Sequence, residues 1–277
     1  MAYAFERDER MTAAIARIMN EQVVRAREQL TDPSSSAEKR VHDARKRFKE
    51  IRALLRMIRE PLGSHFDVEN AWYRDAGREL SAIRDADVVL QALDKLELPR
   101  NVHDKVARTL KQRRDHPPLE PLIANASEQL VVAQARIMMW GPFDDTFEVI
   151  GDGLRRTYRD GRSAMRSAHT DAEIHEWRKF AKTHWYHVQL LREIWPTVMK
   201  AQDDVLDDLS HILGDHHDMH ILESNVSSPP PELVDAIDTR KRLLAAQAMN
   251  LGTRIYAEPP DAWLARIRKY WIAWRGR

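Results

Sequence analysis

The segment 41–60, VHDARKRFKEIRALLRMIRE, constrains the chain more than any other because it carries two helical stripes side by side. The first is apolar and recurs in steps of three and four residues, as the buried face of an amphipathic helix does: Val41, Ala44, Phe48, Ile51, Leu55 and Ile58. The second lies about 100° around the same helix and holds only groups that can be cationic: His42, Arg45, Lys49, Arg52, Arg56 and Arg59. Exposed helix faces normally mix charges, because Glu–Lys pairs four residues apart stabilise them. The one-signed stripe therefore predicts that an anion from outside the helix supplies the negative charge.

The overall charge shows that such an anion site must come from segregation of charge and not from an excess of it. The 277 residues include 44 Lys+Arg and 43 Asp+Glu, which gives a formal charge of +1 and does not indicate a uniformly basic nucleic-acid binder. The absence of cysteine excludes disulfides, thiolate zinc sites and cysteine nucleophiles. The first residues lack the layout of a signal peptide and no apolar run approaches the length of a membrane span, so we expect a cytoplasmic protein without a membrane partner.

Helix-forming residues are abundant and glycines number only nine, which favours an all-α fold. A serine or threonine in the break after residue 30 is expected to cap the next helix. Pro61 and Pro196 are expected to interrupt helices. We find no strand pattern. The predicted helices cover about 9–30, a segment ending at 60, 66–96, 99–114, 119–140, 144–168, 174–195, 197–223, 233–257 and 261–274.

An internal repeat is predicted because a shift of 133 residues superposes the two halves of the chain without a gap. We therefore predict one domain, 1–277, made of two antiparallel four-helix-type bundles, 1–141 and 142–277, related by an approximate two-fold axis. This arrangement would allow the two cationic helices to face a shared cleft. The shift pairs His42 with His175, Arg45 with Arg178, Lys46 with Lys179, Lys49 with Lys182, Arg59 with Arg192, Glu60 with Glu193, Asp75 with Asp208, Leu80 with Leu213, Asp85 with Asp218 and Val88 with Ile221.

The pattern HxxRKxxK on one helix and L-x4-D on the next, present twice, resembles the CHAD family (conserved histidine α-helical domain). VHDARKRFKEIR and IHEWRKFAKTHWY carry the resemblance, with IRDADV and HHDMHI in support. It implies one unit of two pseudo-symmetric bundles with a basic central groove that binds inorganic polyphosphate without known catalysis. Family members are often fused to a CYTH triphosphatase domain, and none is expected here. Glu50 and Trp185 depart from the basic residues that the family tends to have, so we expect asymmetric binding with the stronger half first.

The predicted polyphosphate site suits a polyanion because arginine can grip two oxygens at once and lysine supplies a mobile point charge. We further hypothesise that His42 and His175 donate hydrogen bonds to phosphate and stay neutral until the anion arrives. No catalytic residue, metal or cofactor is expected. The primary candidates are His42, Arg45, Lys46, Lys49, Arg52, Arg56, His175, Arg178, Lys179 and Lys182, and additional candidates are Arg59, Arg155, Arg159, Arg162, Arg192, Arg74 and Arg78.

Three other readings stay open at the level of sequence. A metal-dependent phosphohydrolase could use the cluster of His211, Asp215, His216, His217, Asp218 and His220. An RNA- or nucleotide-binding protein could stack bases on its tryptophans, although their helical spacing favours packing and nucleic acid is the less favoured partner. A purely structural helical scaffold would need no ligand. Chain-length preference, oligomeric state and cellular role are left open, and the resemblance suggests polyphosphate granules as a location.

Overall fold

A computed structural model describes residues 3–80, 85–112 and 119–276, with the backbone alone for 85–87. Those residues form α-helices and contain no strand, so the predicted all-α class is confirmed. The helices are α1 (Met11–Thr31), α2 (Ala37–Met57), α3 (Arg59–Leu62), α4 (His65–Glu79), α5 (Asp85–Asp94), α6 (Arg100–Gln112), α7 (Leu119–Ile137), α8 (Glu148–Arg166), α9 (Asp171–Leu190), α10 (Pro196–Asn225), α11 (Pro231–Ile255) and α12 (Pro260–Arg275), with a short 3-10 turn at Arg192–Ile194.

Local sequence explains where the two signature helices, α2 and α9, begin. The Ser36 hydroxyl accepts a hydrogen bond from the Lys39 backbone N–H at 3.3 Å, which caps α2 as the sequence predicts. Thr170 and Glu173 form a capping box at the start of α9. The helix predicted to reach residue 60 ends at Met57 and is followed by the short α3. The helix predicted at 66–96 corresponds to α4 and α5, and the IRDADV signature at 83–88 lies partly outside the described residues.

The apolar stripe of α2 lies at the centre of the main core, which confirms its prediction. Val41, Ala44, Phe48, Ile51, Leu55 and Ile58 are each 2% exposed or less. The helix contacts α1, α4, α8 and α9, so its apolar face is covered from both halves of the chain. A second core joins α5 and α6 to α10 and α11 through residues such as Val89, Leu93, Met219 and Leu233.

Close backbone approach fixes α8 against the C-terminal end of α2. A Cβ atom added at Gly153 would lie 2.0 Å from the Met57 carbonyl oxygen, so only glycine permits this crossing. α9 crosses the same part of α2, and there the buried His187 ring donates through Nε2 to the Ala53 carbonyl oxygen at 2.8 Å. These two crossings position the cationic face of α2 relative to α9.

The helices that a 133-residue shift would pair make corresponding contacts. α1 packs on α2 as α8 packs on α9, and α1 packs on α7 as α8 packs on α12. α5 contacts α6 as α10 contacts α11. These contacts are those that an ancient duplication would give, and the duplication with its division at residue 141 stays a prediction.

Candidate anion-binding site

Four arginines come together on the neighbouring helices α2 and α4, and we call them the α2–α4 arginine cluster. Arg52 and Arg56 lie one turn apart on α2, and Arg74 and Arg78 lie one turn apart on α4, which packs against α2. Burial and the charges of the other three arginines lower the pKa of Arg52 to about 10, so it stays charged at neutral pH but at an energetic cost. Asp75 accepts two hydrogen bonds from Arg74, at 2.8 and 2.9 Å, and lies 3.6 Å from Arg78.

The two arginines of α2 have neutral hydrogen-bond acceptors. Arg52 Nε donates to Asn70 Oδ1 at 3.1 Å, and Arg56 Nη1 donates to Thr183 Oγ1 on α9 at 2.8 Å. Within the part of the chain that the structure describes, no carboxylate forms an ion pair with either guanidinium. Burial lowers the pKa of Arg56 as well. The four arginines share the single carboxylate of Asp75, which pairs with Arg74 and Arg78 and also attracts Arg52, so the excess positive charge favours an anion that arrives from solvent.

Histidines form a second group, the α9–α10 histidine cluster, made of His175, His217 and His220. The Nδ1 atoms of His175 and His217 lie 3.1 Å apart, and the ring of His220 is 6.5 Å from that of His217. Burial, followed by the charges of Arg178 and His175, lowers the pKa of His217 to about 3. Burial, Lys179 and Arg178 lower the pKa of His175. Both rings are therefore neutral at pH 7 in the free protein, and a bound anion would favour their protonation.

All ten primary candidates lie on α2 and α9, and each has some solvent exposure. Arg56 joins the two helices, because its acceptor Thr183 is the neighbour of Lys182. The Lys182 ammonium lies 4.6 Å above the Trp185 ring, and Lys179 pairs with Glu176 at 2.5 Å. The half-buried candidates are Arg45, Lys49, Arg52, Arg56, His175, Arg178 and Lys182, and the exposed ones are His42, Lys46 and Lys179.

Two of the three α8 arginines among the additional candidates contact the ends of α11 and α12, and the third pairs within α8. Arg155 pairs with Asp261 at 3.3 Å, Arg162 donates to the Tyr256 carbonyl oxygen at 2.9 Å, and Arg159 pairs with its neighbour in sequence, Asp160.

Arg59 and Arg192 lie beyond the ends of the signature helices. Arg59, on α3, stacks on the Phe66 ring at 4.7 Å, and Arg192, in the 3-10 turn, pairs with Glu193 at 3.0 Å. Arg74 and Arg78 align with no cation in the second repeat. The packing of α4 on α2 nevertheless places their charges near Arg52. No sequence periodicity signals this proximity, because it depends on how α4 lies on α2.

Glu50, the acidic residue that departs from the family's basic pattern, lies off the cationic stripe and faces the core. Its side chain is buried at 3% exposure, and its carboxylate accepts a hydrogen bond from Arg47 at 2.6 Å. Burial raises the pKa of Glu50, and Arg47 and Lys46 oppose that rise. The carboxylate belongs to the core network and leaves the exposed face of α2 cationic.

Within the histidine–aspartate cluster at 211–220, His216 and His220 each lie 3.5 Å from Asp171, and other members have different neighbours. His211 Nδ1 lies 3.2 Å from Asp207, Asp215 accepts a hydrogen bond from Lys95 at 2.6 Å, and His217 contacts His175.

Among the described side chains, the three potential metal ligands within reach of one another are Asp171, His220 and Glu223, which share only His220 with the predicted cluster. The ammonium of Lys241, 8% exposed, lies 2.7 Å from Asp171 and 2.5 Å from Glu223. Its single positive charge pairs with both carboxylates, so a metal ion at this point would have to displace the ammonium.

These features define an all-helical protein in which two cation-bearing helices pack directly on each other. A model of the CHAD domain matches residues 16–226, and the chain belongs to that family. The crystal structure of the CHAD domain from the plant Ricinus communis has the same fold, with a TM-score of 0.61 and 17% sequence identity over 99% of this chain and 95% of that chain. No curated protein matches the chain. None of the described helices is both long and apolar enough to cross a bilayer.

Proposed function

We propose that this CHAD protein binds inorganic polyphosphate, without catalysis, along the cationic faces of α2, α4 and α9. The observation that carries the proposal is the α2–α4 arginine cluster, whose Arg52 and Arg56 are half-buried beside two further arginines and hydrogen-bonded to neutral acceptors. A polyanion would relieve the mutual repulsion of these guanidiniums and supply the missing counter-charge.

A linear ligand suits the arrangement better than a compact one. The cations of α2 follow one another by about a helical turn, and the link from Arg56 to Thr183 leads on to Lys182 and Arg178 of α9. Polyphosphate carries a negative charge on each repeating unit, so one chain can engage many of these side chains together. A single phosphate would contact too few of them to bind tightly. Counterion release makes the affinity fall steeply with salt.

The two signature histidines have a separate role in the proposal. His175 lies against His217 in a cationic surrounding and is held neutral in the free protein. A phosphate group beside this pair favours the protonated form, which donates a hydrogen bond to it. His42 is exposed on α2 and is proposed to donate a hydrogen bond to phosphate in the first half.

The test is a salt series of polyphosphate binding by the wild type and by the variant Lys49→Gln/Lys182→Gln. Each lost phosphate contact should reduce the slope of log affinity against log salt by about 0.7, so we expect a fall of about 1.4 together with weaker binding. Lys200→Gln/Lys269→Gln is the matched control, because it removes two exposed lysines outside α2, α4 and α9. An unchanged affinity and slope in the Lys49/Lys182 variant would contradict the proposal.

Two further measurements separate the rival functions. Competition by RNA of matched total charge distinguishes a polyphosphate site from a nucleic-acid site. RNA should displace polyphosphate only weakly from a polyphosphate site. A phosphate-release assay on polyphosphate tests the absence of catalysis. We also propose association with polyphosphate granules in cells, and a diffuse distribution in granule-filled cells would count against it.

A further inference from the structure

The positions 133 residues after the α2–α4 arginine cluster repeat one of its hydrogen bonds and carry the opposite charge. Arg52 Nε donates to Asn70 Oδ1 at 3.1 Å, and at the corresponding positions Trp185 Nε1 donates to Asp203 Oδ1 at 2.7 Å. Gln189 stands where the first half has Arg56, and its amide donates to the same oxygen of Asp203 at 3.1 Å. The two loci therefore share one donor–acceptor pair at corresponding positions and differ in charge.

The charges of the two loci are nearly reversed. The first contains four arginines and one carboxylate, that of Asp75. In the second, Arg74 and Arg78 are replaced by Asp207 and His211, and Asp208 occupies the position of Asp75. The nearest lysine of α9, Lys182, places its ammonium over the Trp185 ring.

Hydrogen-bond donors in the second locus are already engaged. The indole N–H of Trp185 and the amide of Gln189 both point to one carboxylate oxygen of Asp203. An approaching phosphate would meet the Asp203 carboxylate in place of the neutral Asn70 amide, and like charges repel.

We propose that Asp203 is a specificity-determining residue that excludes phosphate from the second locus. A short polyphosphate then occupies the α2–α4 arginine cluster alone, and a longer chain extends from that anchored end. The inference rests on the proposed polyphosphate binding. It adds where on the surface the ligand binds and where it is excluded.

Calorimetric titration with inorganic tripolyphosphate at low salt tests this inference, with Asp203→Asn as the decisive variant. For a phosphate about 4 Å from residue 203, removing the negative charge should strengthen binding at the second locus about fivefold, which the titration should show as a second, weaker binding event. Asp204→Asn is the matched control, because Asp204 is the next residue of α10, is exposed and pairs with Lys200 at 2.9 Å. We expect the control to bind as the wild type does.

A second variant, Trp185→Arg/Asp203→Asn, recreates the Arg52–Asn70 pair in the second half. It should raise the stoichiometry from one tripolyphosphate per chain to two, and thermal melting of both variants checks that they fold. If Asp203→Asn shows no second binding event and titrates as Asp204→Asn does, or if the wild type has two equivalent tripolyphosphate sites, the inference is overturned and polyphosphate binding is left intact. A wild type that binds no polyphosphate of any length would instead overturn the proposed function.

Discussion

Replacing Arg52 and Arg56 together by glutamine should weaken polyphosphate binding without destabilising the free protein. A glutamine amide nitrogen takes the chain position of the Arg52 Nε, which donates to Asn70. Thr183 loses the donor Arg56 but keeps its own hydrogen bond to the Lys179 carbonyl oxygen at 2.9 Å. It removes two charges that repel each other and the arginines of α4. An ordinary structural arginine behaves differently, because its loss normally destabilises the fold through a broken ion pair or lost packing.

The magnitudes follow from the pKa of Arg52, which is about 10 in place of 12.5. For a fully buried group that difference corresponds to about 3 kcal/mol against the charged form. Solvent screening of the exposed part of the guanidinium reduces it to on the order of 1 kcal/mol. Loss of the aliphatic stem offsets that gain, so the free energy of unfolding should change by less than about 1 kcal/mol. Two lost charge-assisted hydrogen bonds should weaken ligand binding by about 3–6 kcal/mol.

The assay combines polyphosphate titration over a salt series with chemical denaturation of the unliganded variant. Arg242→Gln/Arg268→Gln is the control, because it removes two exposed arginines from α11 and α12. Unchanged affinity in the Arg52/Arg56 variant would refute the assignment of the cluster as an anion site. A large loss of unfolding free energy would show instead that these arginines hold the fold together.

Further predictions concern protonation and packing. The pKa of His175 is lowered in the free protein and is expected to rise beside phosphate, so polyphosphate binding should take up protons. The affinity should therefore increase as the pH falls from 8 to 6. Titrations at both pH values should show that His175→Ala abolishes this increase. Burial lowers the folded-state pKa of His187 to about 4, below its ordinary 6.5, so its contribution to stability is fully present above pH 6.5 and is lost as the pH falls toward 4, by on the order of 3 kcal/mol. Denaturant melts of wild type and His187→Gln at pH 7 and pH 5 measure it, and equal losses in both would contradict the assignment. Gly153→Ala should lower the free energy of unfolding by about 3 kcal/mol or more, because the added Cβ meets the α2 backbone. The control Gly214→Ala has nothing within 4 Å of its added Cβ and should raise the free energy of unfolding by about 0.5–1 kcal/mol in the same melts.

Much of the fold could be predicted because it rests on local patterns. The apolar stripe of α2 indicates which face is buried, and Ser36 marks where that helix begins. Periodicity in the rest of the chain identifies most helices within a few residues. The doubled motif identifies the CHAD family, which the family model confirms. These signals lie within a helical turn or recur at one offset, so they need no knowledge of packing.

The candidate site was predictable only in part. The rows of cations on α2 and α9 follow from helical spacing, but the relation of Arg52 to Arg74 and Arg78 depends on the packing of α4 on α2. The same holds for His217, which reaches His175 from another helix.

The sequence by itself determined that the chain is all-helical, that α2 has an apolar and a cationic face, and that the family is CHAD. The tertiary structure decided where positive charge is in excess, with four arginines around the one carboxylate of Asp75. Glu50, which departs from the family's basic pattern, is buried in the core and pairs with Arg47, whereas Arg52 lies near other arginines. The physical reason is that helical periodicity fixes only the direction of a side chain from its own axis. The burial and the charges that the side chain meets come from neighbouring helices, and these set its pKa and its need for an anion.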